Sequence, residues 1–387
     1  MKRCLIITTL FLLVFCNLVY GKAGTPKSVE KKEPYKAFIV FEPITGKAID
    51  GKDIHLKRAP ASITKLMLTY VVMERLSRGE VKITDTITVS KEASRMGGSQ
   101  VYLKEGETFS LEEMMKAILV ASANDAAYAV AEHIAGTPEG FVQMMNEKAK
   151  EIGMVDSEFN TVHGLPPSKG QKEDATSCSD LALLAKAIIN KYPKVIEWTS
   201  ISQEGFRDGK FIMNNHNKLL LKMPGIVDGL KTGYYGETGY NIVATGKRDR
   251  LRVIVVILGS PSAKIRDDVA IGMFKTAFSR LKMVDIVKKG EVIDKDIVLV
   301  DGKYRKIKGI AATGLSYPIF KDKKAVIKRE YVIPERIKGE VREGQRLGEL
   351  LIKVDNETIG KIDIVSPVYV PKANLFTRCI RRIGLDI

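Results

Sequence analysis

The chain has 387 residues, of which 45% are hydrophobic and 28% charged, so it is long enough for two folded units and apolar enough to bury a core. This composition excludes a low-complexity or intrinsically disordered protein. The formal net charge of +16 favours anionic surroundings such as phospholipid head groups, wall polymers or nucleic acid. The cations are spread along the chain and are not clustered with aromatic residues, which argues against a nucleic-acid-binding protein.

The first 21 residues have the layout of a secretory signal peptide. Lys2 and Arg3 precede an apolar run from Cys4 to Tyr20, and the small residue Gly21 follows. Cleavage there would leave a mature protein with a net charge of +14 that works outside the cytoplasm and begins with a polar segment, residues 22–36. The alternative is an uncleaved membrane anchor, because the apolar run is near the lower length limit for a span.

The next 250 residues or so combine strand and helix patterns. A hairpin is predicted where residues 37–42 are followed by a Pro-Ile-Thr-Gly turn and the chain resumes toward Ile49. Helical spacing is found from Pro60 onward and over residues 111–120, 125–134, 179–189 and 269–281, and strands are predicted over 240–245 and 251–258. Strands at both ends of a mostly helical segment predict an α+β domain over residues 37–287, with a sheet closed by both ends of the segment.

Beyond residue 288 the pattern changes to short β-type runs separated by Gly, Asp and Lys turns. The runs are residues 297–300, 325–327, 331–333, 350–352 and 362–365. This spacing predicts a small all-β domain over residues 288–370. Of the four cysteines, Cys178 and Cys379 remain after signal cleavage, and we expect both to be free thiols because two cysteines are too few for a disulfide framework.

The last 17 residues, 371–387, predict an amphipathic helix. The apolar side chains on one arc are Leu375, Phe376, Cys379, Ile380 and Ile383, and the cations on the other are Arg378, Arg381 and Arg382. An apolar face opposite arginines is typical of a helix that lies in the plane of an anionic membrane surface. The alternative is an ordinary tail that packs on the protein.

The pattern Ser62-Ile63-Thr64-Lys65 brings a serine and a lysine onto one face of a predicted helix, one turn apart. A serine hydroxyl becomes a good nucleophile when a base removes its proton, and a lysine can be that base when its pKa is lowered. The same spacing also occurs at Ser28…Lys31 and Ser279…Lys282, so the pattern alone is weak.

Two further tripeptides make the serine–lysine pattern specific. Ser122-Ala123-Asn124 interrupts two predicted helices, which would direct Ser122 and Asn124 out of a loop. Lys231-Thr232-Gly233 precedes the late hairpin, so we expect it on a strand at the sheet edge. The three motifs in this order are the signature of penicillin-binding proteins and serine β-lactamases.

From about Ala37 to its C-terminus the chain resembles the D-alanyl-D-alanine carboxypeptidases among the low-molecular-mass penicillin-binding proteins. Further fragments agree with that family: residues 163–165, 228–230 and 239–241, and Arg266. Ala123 stands where the family often has glycine. The resemblance implies a β-lactamase-like catalytic domain with an antiparallel sheet, then the β-rich domain and the membrane-associated tail.

The resemblance also implies a role for each motif residue. Ser62 would attack the peptide bond between two terminal D-alanines, Lys65 would take its proton, and Asn124 would hold Lys65 and the substrate amide. Ser122 and Lys231 would relay the proton to the leaving amine. The substrate would be bound by Thr232, Gly233, Tyr234 and Arg266, with the backbone N–H groups of Ser62 and Tyr234 around the oxyanion. The expected ligands are peptidoglycan stem peptides ending in D-Ala-D-Ala and, as covalent inhibitors, β-lactams, with no cofactor and no metal.

Simpler roles stay open for several of these residues. Ser62, Asn124 and Asp125 could be plain helix caps, and Lys231 and Arg266 could be solvated surface cations. His163 is expected to be structural, and no His-Glu-x-x-His-like arrangement points to a zinc peptidase.

Three other functions share the fold. A class A β-lactamase needs a glutamate on a loop after the second motif, and no Glu-x-x-Leu-Asn sequence lies between Asn124 and Lys231. A D,D-endopeptidase would use identical chemistry, and a silent wall-binding scaffold would use none. We expect an exported carboxypeptidase on the periplasmic side of the cytoplasmic membrane.

Overall fold

The structure of the protein, a computed structural model, describes residues 34–382, so the predicted signal peptide and most of the polar segment 22–36 lie outside the described residues. The strands of the first part are β1 (Ala37–Glu42), β2 (Lys47–Lys52), β3 (Thr86–Thr88), β4 (Thr108–Ser110), β5 (Gln203–Phe206), β6 (Phe211–Asn214), β7 (Val227–Tyr235), β8 (Gly239–Arg248) and β9 (Leu251–Ser260). Its helices are α1 (Lys65–Ser77), α2 (Lys91–Ser94), α3 (Leu111–Val120), α4 (Asn124–Ala135), α5 (Pro138–Glu151), α6 (Cys178–Lys191), α7 (Lys194–Thr199), α8 (Leu219–Lys222) and α9 (Ala263–Arg280), and a 3-10 turn over Ala61–Thr64 leads into α1.

Five antiparallel strands form the main sheet in the order β2-β1-β9-β8-β7. The N-terminal hairpin therefore pairs with a strand more than 200 residues later, with Phe38 opposite Ile257. This confirms the predicted sheet closed by both ends of the segment. Strand β7, which carries Lys231, Thr232 and Gly233, is an edge strand, as predicted.

Apart from the exposed edge strand β2, the sheet is largely buried on both faces, because its side chains alternate between two hydrophobic cores. In β9, Ile254 and Val256 belong to the core that also contains α1, α3, α4 and α6. Val255 and Ile257 belong to the core formed with α9, where Phe274 and Phe278 are buried. The first motif is thus held between a helical layer and the sheet.

The start of α9 corrects the sequence prediction. We expected a charged turn over residues 264–268 and a helix from residue 269, but the helix begins at Ala263. The Ser262 hydroxyl caps it by accepting a hydrogen bond from Ile265 N at 3.2 Å. Lys264 and Asp268 form an i,i+4 ion pair at 2.7 Å, which is compatible with a helix as well as with a turn.

The second part is all-β, as predicted. Its strands are β10 (Leu281–Val287), β11 (Val292–Val298), β12 (Lys306–Ala311), β13 (Leu315–Phe320), β14 (Ile327–Val332), β15 (Arg346–Val354) and β16 (Glu357–Val365). Five of them form a sheet in the order β11-β12-β16-β15-β14, and β10 pairs with β13. The predicted separate runs at 325–327 and 331–333 are a single strand, because the chain from 327 to 332 pairs continuously with β15.

The C-terminal helix, α10, begins at Leu375 and is described as far as Arg382. Before it, Lys372 bridges to Gly302, and Ala373 N donates to Asp301 O at 2.8 Å, so residues 371–373 lie along the β-rich part. Cys178 is buried and Cys379 exposed, and both are free thiols. Among the described helices, none combines the length and apolarity that a membrane span requires.

Candidate active site

Ser62 and Lys65 lie where the 3-10 turn becomes helix α1. Ser62 is in the turn, Lys65 is the first residue of α1, and Lys65 Nζ is 3.0 Å from Ser62 Oγ. The Lys65 side chain is fully buried, whereas Ser62 is partly exposed. A partly exposed hydroxyl in contact with a buried amine is the geometry that nucleophilic activation requires.

The environment of Lys65 favours the neutral amine. Burial lowers the pKa of Lys65 well below its usual value, and the nearby Lys231 cation lowers it further, while the carboxylates of Asp174 and Asp125 act in the opposite direction. The Lys65 amine also donates to Asn124 Oδ1 and to the backbone carbonyl of His163, both at 2.7 Å. These two acceptors fix the direction of Nζ toward Ser62.

The second motif presents two polar side chains from the break between α3 and α4. Ser122 is buried in a left-handed conformation, with φ of 62°. Asn124 is the first residue of α4, and its Nδ2 donates to Gly97 O at 2.6 Å while its Oδ1 faces Lys65. Asn124 therefore connects Lys65 to the segment around Gly97.

The third motif supplies a second buried lysine. Lys231 on β7 donates to Ser122 Oγ at 2.9 Å and to Thr232 O at 3.0 Å. Burial, together with the nearby Arg266 cation, lowers the pKa of Lys231 to about 7. Near neutral pH this amine can hold or release a proton, which a relay to Ser122 needs.

Strand β7 runs directly against the backbone of Ser62 at Gly233. A Cβ on Gly233 would lie 2.3 Å from Pro60 O and 3.1 Å from Ser62 N. Only glycine permits this approach, which brings the next residue, Tyr234, beside the 3-10 turn over Ala61–Thr64, the nucleophile turn, which carries the candidate nucleophile Ser62. Tyr234 is 54% exposed and stacks on Tyr240 with ring centroids 4.1 Å apart.

The remaining expected substrate residues differ in their surroundings. Thr232 on β7 is buried, at 6% exposure. Arg266 is also buried. It lies near the start of helix α9, where we had predicted a charged turn, and its guanidinium donates to Asp267 Oδ1 at 2.7 Å. Its charge acts on the site through its effect on the pKa of Lys231.

Two histidines outside the three motifs lie near the buried lysines. His163 stands in the family-like fragment 163–165, whereas no local sequence pattern pointed to His216. His163 contributes its backbone carbonyl to Lys65, and burial lowers the pKa of its imidazole to about 3. His216 follows the β5–β6 hairpin, and burial together with Lys231 lowers its pKa to about 4. Both rings are neutral near neutral pH, so neither adds a charge beside the two lysines.

Gly164 holds the His163 segment against the nucleophile turn. Its φ is +76°, and a Cβ there would lie 2.1 Å from Ala61 O. We expect Gly164→Ala to lower the free energy of unfolding by about 2–4 kcal/mol, because it combines a left-handed alanine with a backbone clash. Gly170→Ala is the matched control, since Gly170 also has a positive φ but no atom within 4 Å of the added Cβ. Urea unfolding of both variants measures the difference, and equal losses would contradict the close approach.

The chain matches two family models. Residues 26–262 match D-alanyl-D-alanine carboxypeptidase, and residues 281–372 match the penicillin-binding protein 5 C-terminal domain. A curated relative, D-alanyl-D-alanine carboxypeptidase DacF of Bacillus subtilis, is 33% identical over 99% of this chain and 98% of its own length.

Two solved structures resemble this chain over different shares of its length. Penicillin-binding protein 3 of Streptococcus pneumoniae is 27% identical with a TM-score of 0.77, covering 87% of this chain and 99% of its own. The ampicillin-bound form of penicillin-binding protein D2 of Listeria monocytogenes is 28% identical with a TM-score of 0.58, covering 63% of this chain and 97% of its own. With its serine–lysine site and β-rich second domain, this chain belongs to the D-alanyl-D-alanine carboxypeptidases, serine hydrolases of the low-molecular-mass penicillin-binding protein class.

Proposed function

We propose that Ser62 is the nucleophile and Lys65 the general base of a D-alanyl-D-alanine carboxypeptidase that acts on peptidoglycan stem peptides. The observation that carries this assignment is the 3.0 Å contact between Ser62 Oγ and the buried Lys65 amine. Because the pKa of Lys65 is lowered by burial and by Lys231, the amine can accept the hydroxyl proton at a lower pH than an ordinary lysine could.

In the acylation step, the Ser62 proton passes to Lys65 Nζ while Oγ bonds to the carbonyl carbon between the two terminal D-alanines. The oxyanion is held by the backbone N–H groups of Ser62 and Tyr234, preorganised donors that stabilise charge as it develops. The close approach of Gly233 to Ser62 N supports this pairing, because it brings the two backbone segments together.

Collapse of the tetrahedral intermediate breaks the C–N bond, and the leaving amine needs a proton. Lys231 and Ser122, 2.9 Å apart, form the relay that delivers it. Asn124 holds Lys65 and the substrate amide, and the terminal carboxylate is met by Thr232 in the field of Lys231 and Arg266. Water then hydrolyses the acyl-enzyme, whereas a β-lactam blocks the site because its ring-opened leaving group stays attached.

One assay tests this function. Mature protein is incubated with a stem pentapeptide ending in D-Ala-D-Ala, and free D-alanine is measured with and without prior exposure to labelled penicillin. We expect D-alanine release, its loss after penicillin treatment, and one labelled peptide containing Ser62. Without release or label, the proposed activity is wrong. Greater activity on a cross-linked dimer would instead assign a D,D-endopeptidase, and rapid turnover of penicillin would assign a β-lactamase.

We also propose that the protein is exported and held at the outer face of the cytoplasmic membrane by residues 374–387. The signal-like residues 1–21 and the positive net charge support export and an anionic surface. In α10, Leu375 is 69% exposed and Phe376 72% exposed, so their apolar surface is free to enter a bilayer interface.

Deletion of residues 374–387 is expected to release the mature protein from membranes. The deletion starts after Ala373, whose backbone bond to Asp301 keeps the preceding segment on the β-rich part. Co-sedimentation with phosphatidylglycerol–phosphatidylethanolamine vesicles should fall by about tenfold or more, while penicillin labelling stays unchanged. The double variant Leu375→Ser, Phe376→Ser tests the apolar face alone. Undiminished sedimentation of the deletion protein would contradict the assignment.

A further inference from the structure

A buried carboxylate that belongs to none of the three motifs lies behind the nucleophile turn. Asp174 is 5% exposed and follows the segment that contains His163. Burial raises the pKa of Asp174, and hydrogen bonds from Thr64, Asn160 and Thr161 act against that rise. Since the folded protein retains this proton more tightly than the unfolded chain, the ionised carboxylate costs folding free energy at pH values above its folded pKa.

Asp174 joins the two segments that frame Lys65. Its Oδ2 accepts from Thr64 Oγ1 at 2.7 Å, and Thr64 is the residue directly before Lys65. The same oxygen accepts from Thr161 Oγ1 at 2.9 Å, and Oδ1 accepts from the backbone N–H groups of Asn160 and Thr161 at 2.7 and 2.9 Å. A shift of this carboxylate would therefore move both segments.

Residues 160–164 connect Asp174 to the Lys65 amine. Thr161 Oγ1 accepts from Gly164 N at 2.8 Å, which closes the loop around His163. The His163 carbonyl in turn accepts from Lys65 Nζ at 2.7 Å. Through this loop, Asp174 fixes the position of the His163 carbonyl, which is one of the two acceptors that direct Lys65 Nζ toward Ser62.

The charges around Lys65 are few and opposed. Lys231 disfavours the ammonium form, and Asp125 and Asp174 favour it. His163 and His216 are neutral near neutral pH, because their pKa values are about 3 and about 4. Removal of either carboxylate should therefore lower the pKa of Lys65 further, because less negative charge then offsets the Lys231 cation.

We propose that Asp174 is a positioning residue of the acylation step, which holds Thr64 and the His163 carbonyl around the Lys65 amine and supplies part of the negative charge that balances Lys231. This inference rests on the proposed role of Lys65 as the base. The ionised Asp174 carboxylate costs folding free energy, and proteins often tolerate such a cost where the residue serves the active site.

The test compares Asp174→Asn with Thr64→Val. Asparagine keeps the size of the side chain but removes the charge, whereas valine removes the Thr64 tether and leaves the charge. The rate of acylation by a fluorescent penicillin is measured from about pH 5 to about pH 10, with the thermal midpoint of each variant. Asp180→Asn is the matched control, because Asp180 is also a buried carboxylate and accepts from Asp156 N and Ser157 Oγ, both at 2.7 Å.

For Asp174→Asn we expect the acid limb of the acylation profile to move to lower pH by about half a unit to one unit, because the ammonium loses a stabilising anion. The plateau rate should fall about tenfold. Thr64→Val should lower the plateau by about threefold to tenfold and leave the limb in place. Asp180→Asn should match the wild type in both respects.

A wild-type limb and plateau in Asp174→Asn would overturn the inference. If that variant does not fold, Thr64→Val decides: a wild-type plateau overturns the inference, and a lowered plateau with an unshifted limb supports it. Measurement of the wild-type protein distinguishes failure of this inference from failure of the proposed function. If the wild type forms no adduct on Ser62, both fail, and if it does so while the variants match it, only the inference fails.

Discussion

Replacement of Ser62 by alanine is expected to abolish the covalent adduct with labelled penicillin and to lower D-alanine release by at least about 10⁴-fold. The alanine removes the hydroxyl oxygen that we propose bonds to the substrate carbonyl, while the Lys65 amine keeps its contacts with Asn124 and the His163 carbonyl. The fold should therefore survive. Labelling on a denaturing gel, D-alanine release and the thermal midpoint measure the three quantities.

Ser279→Ala is the control for this prediction. Ser279 begins another match to the same four-residue pattern, with Lys282, but it is exposed near the end of α9 and donates to Thr276 O. We expect full labelling of the Ser279→Ala protein. Equal labelling of Ser62→Ala would mean that another nucleophile forms the adduct, and the proposed mechanism would then be wrong.

The second large effect is expected at Lys65. Lys65→Arg keeps a cation of similar reach but replaces the amine by a guanidinium that does not lose its proton at accessible pH. Without a base, acylation should slow by about 10³-fold, within the range that general-base catalysis supplies. Stopped-flow measurement of penicillin acylation gives this ratio directly.

The pH dependence of the wild type follows from the same amine. Its pKa is lowered, so the free base persists to a lower pH than for an ordinary lysine, and acylation should fall as the pH decreases through that pKa and the ammonium forms. Lys148→Arg serves as the control, because Lys148 is also largely buried but pairs with Glu74 at 2.8 Å, away from Ser62. A Lys65→Arg protein with wild-type rate and profile would exclude Lys65 as the base.

Local sequence patterns were sufficient to predict contacts between residues that lie close together in the sequence. The spacing of Ser62 and Lys65 predicts their contact, because residues one helical turn apart share a face. The break between two apolar helices at Ser122 and the edge strand that carries Lys231 were also predictable, since hydrophobic periodicity reports local structure. Periodicity failed at Arg266, because a capped helix start and a charged turn have similar composition.

The amino-acid sequence by itself determined the motifs, their order, the α+β and all-β parts and the family. Only the tertiary structure brought Lys231 to Ser122 across 109 residues and Asp174 to Thr64 across 110. It also decided that Gly164 and Gly233 lie against the nucleophile turn. The physical reason is that burial and charge proximity, which lower the pKa values of both lysines, depend on how distant segments pack and not on the residues next to each lysine.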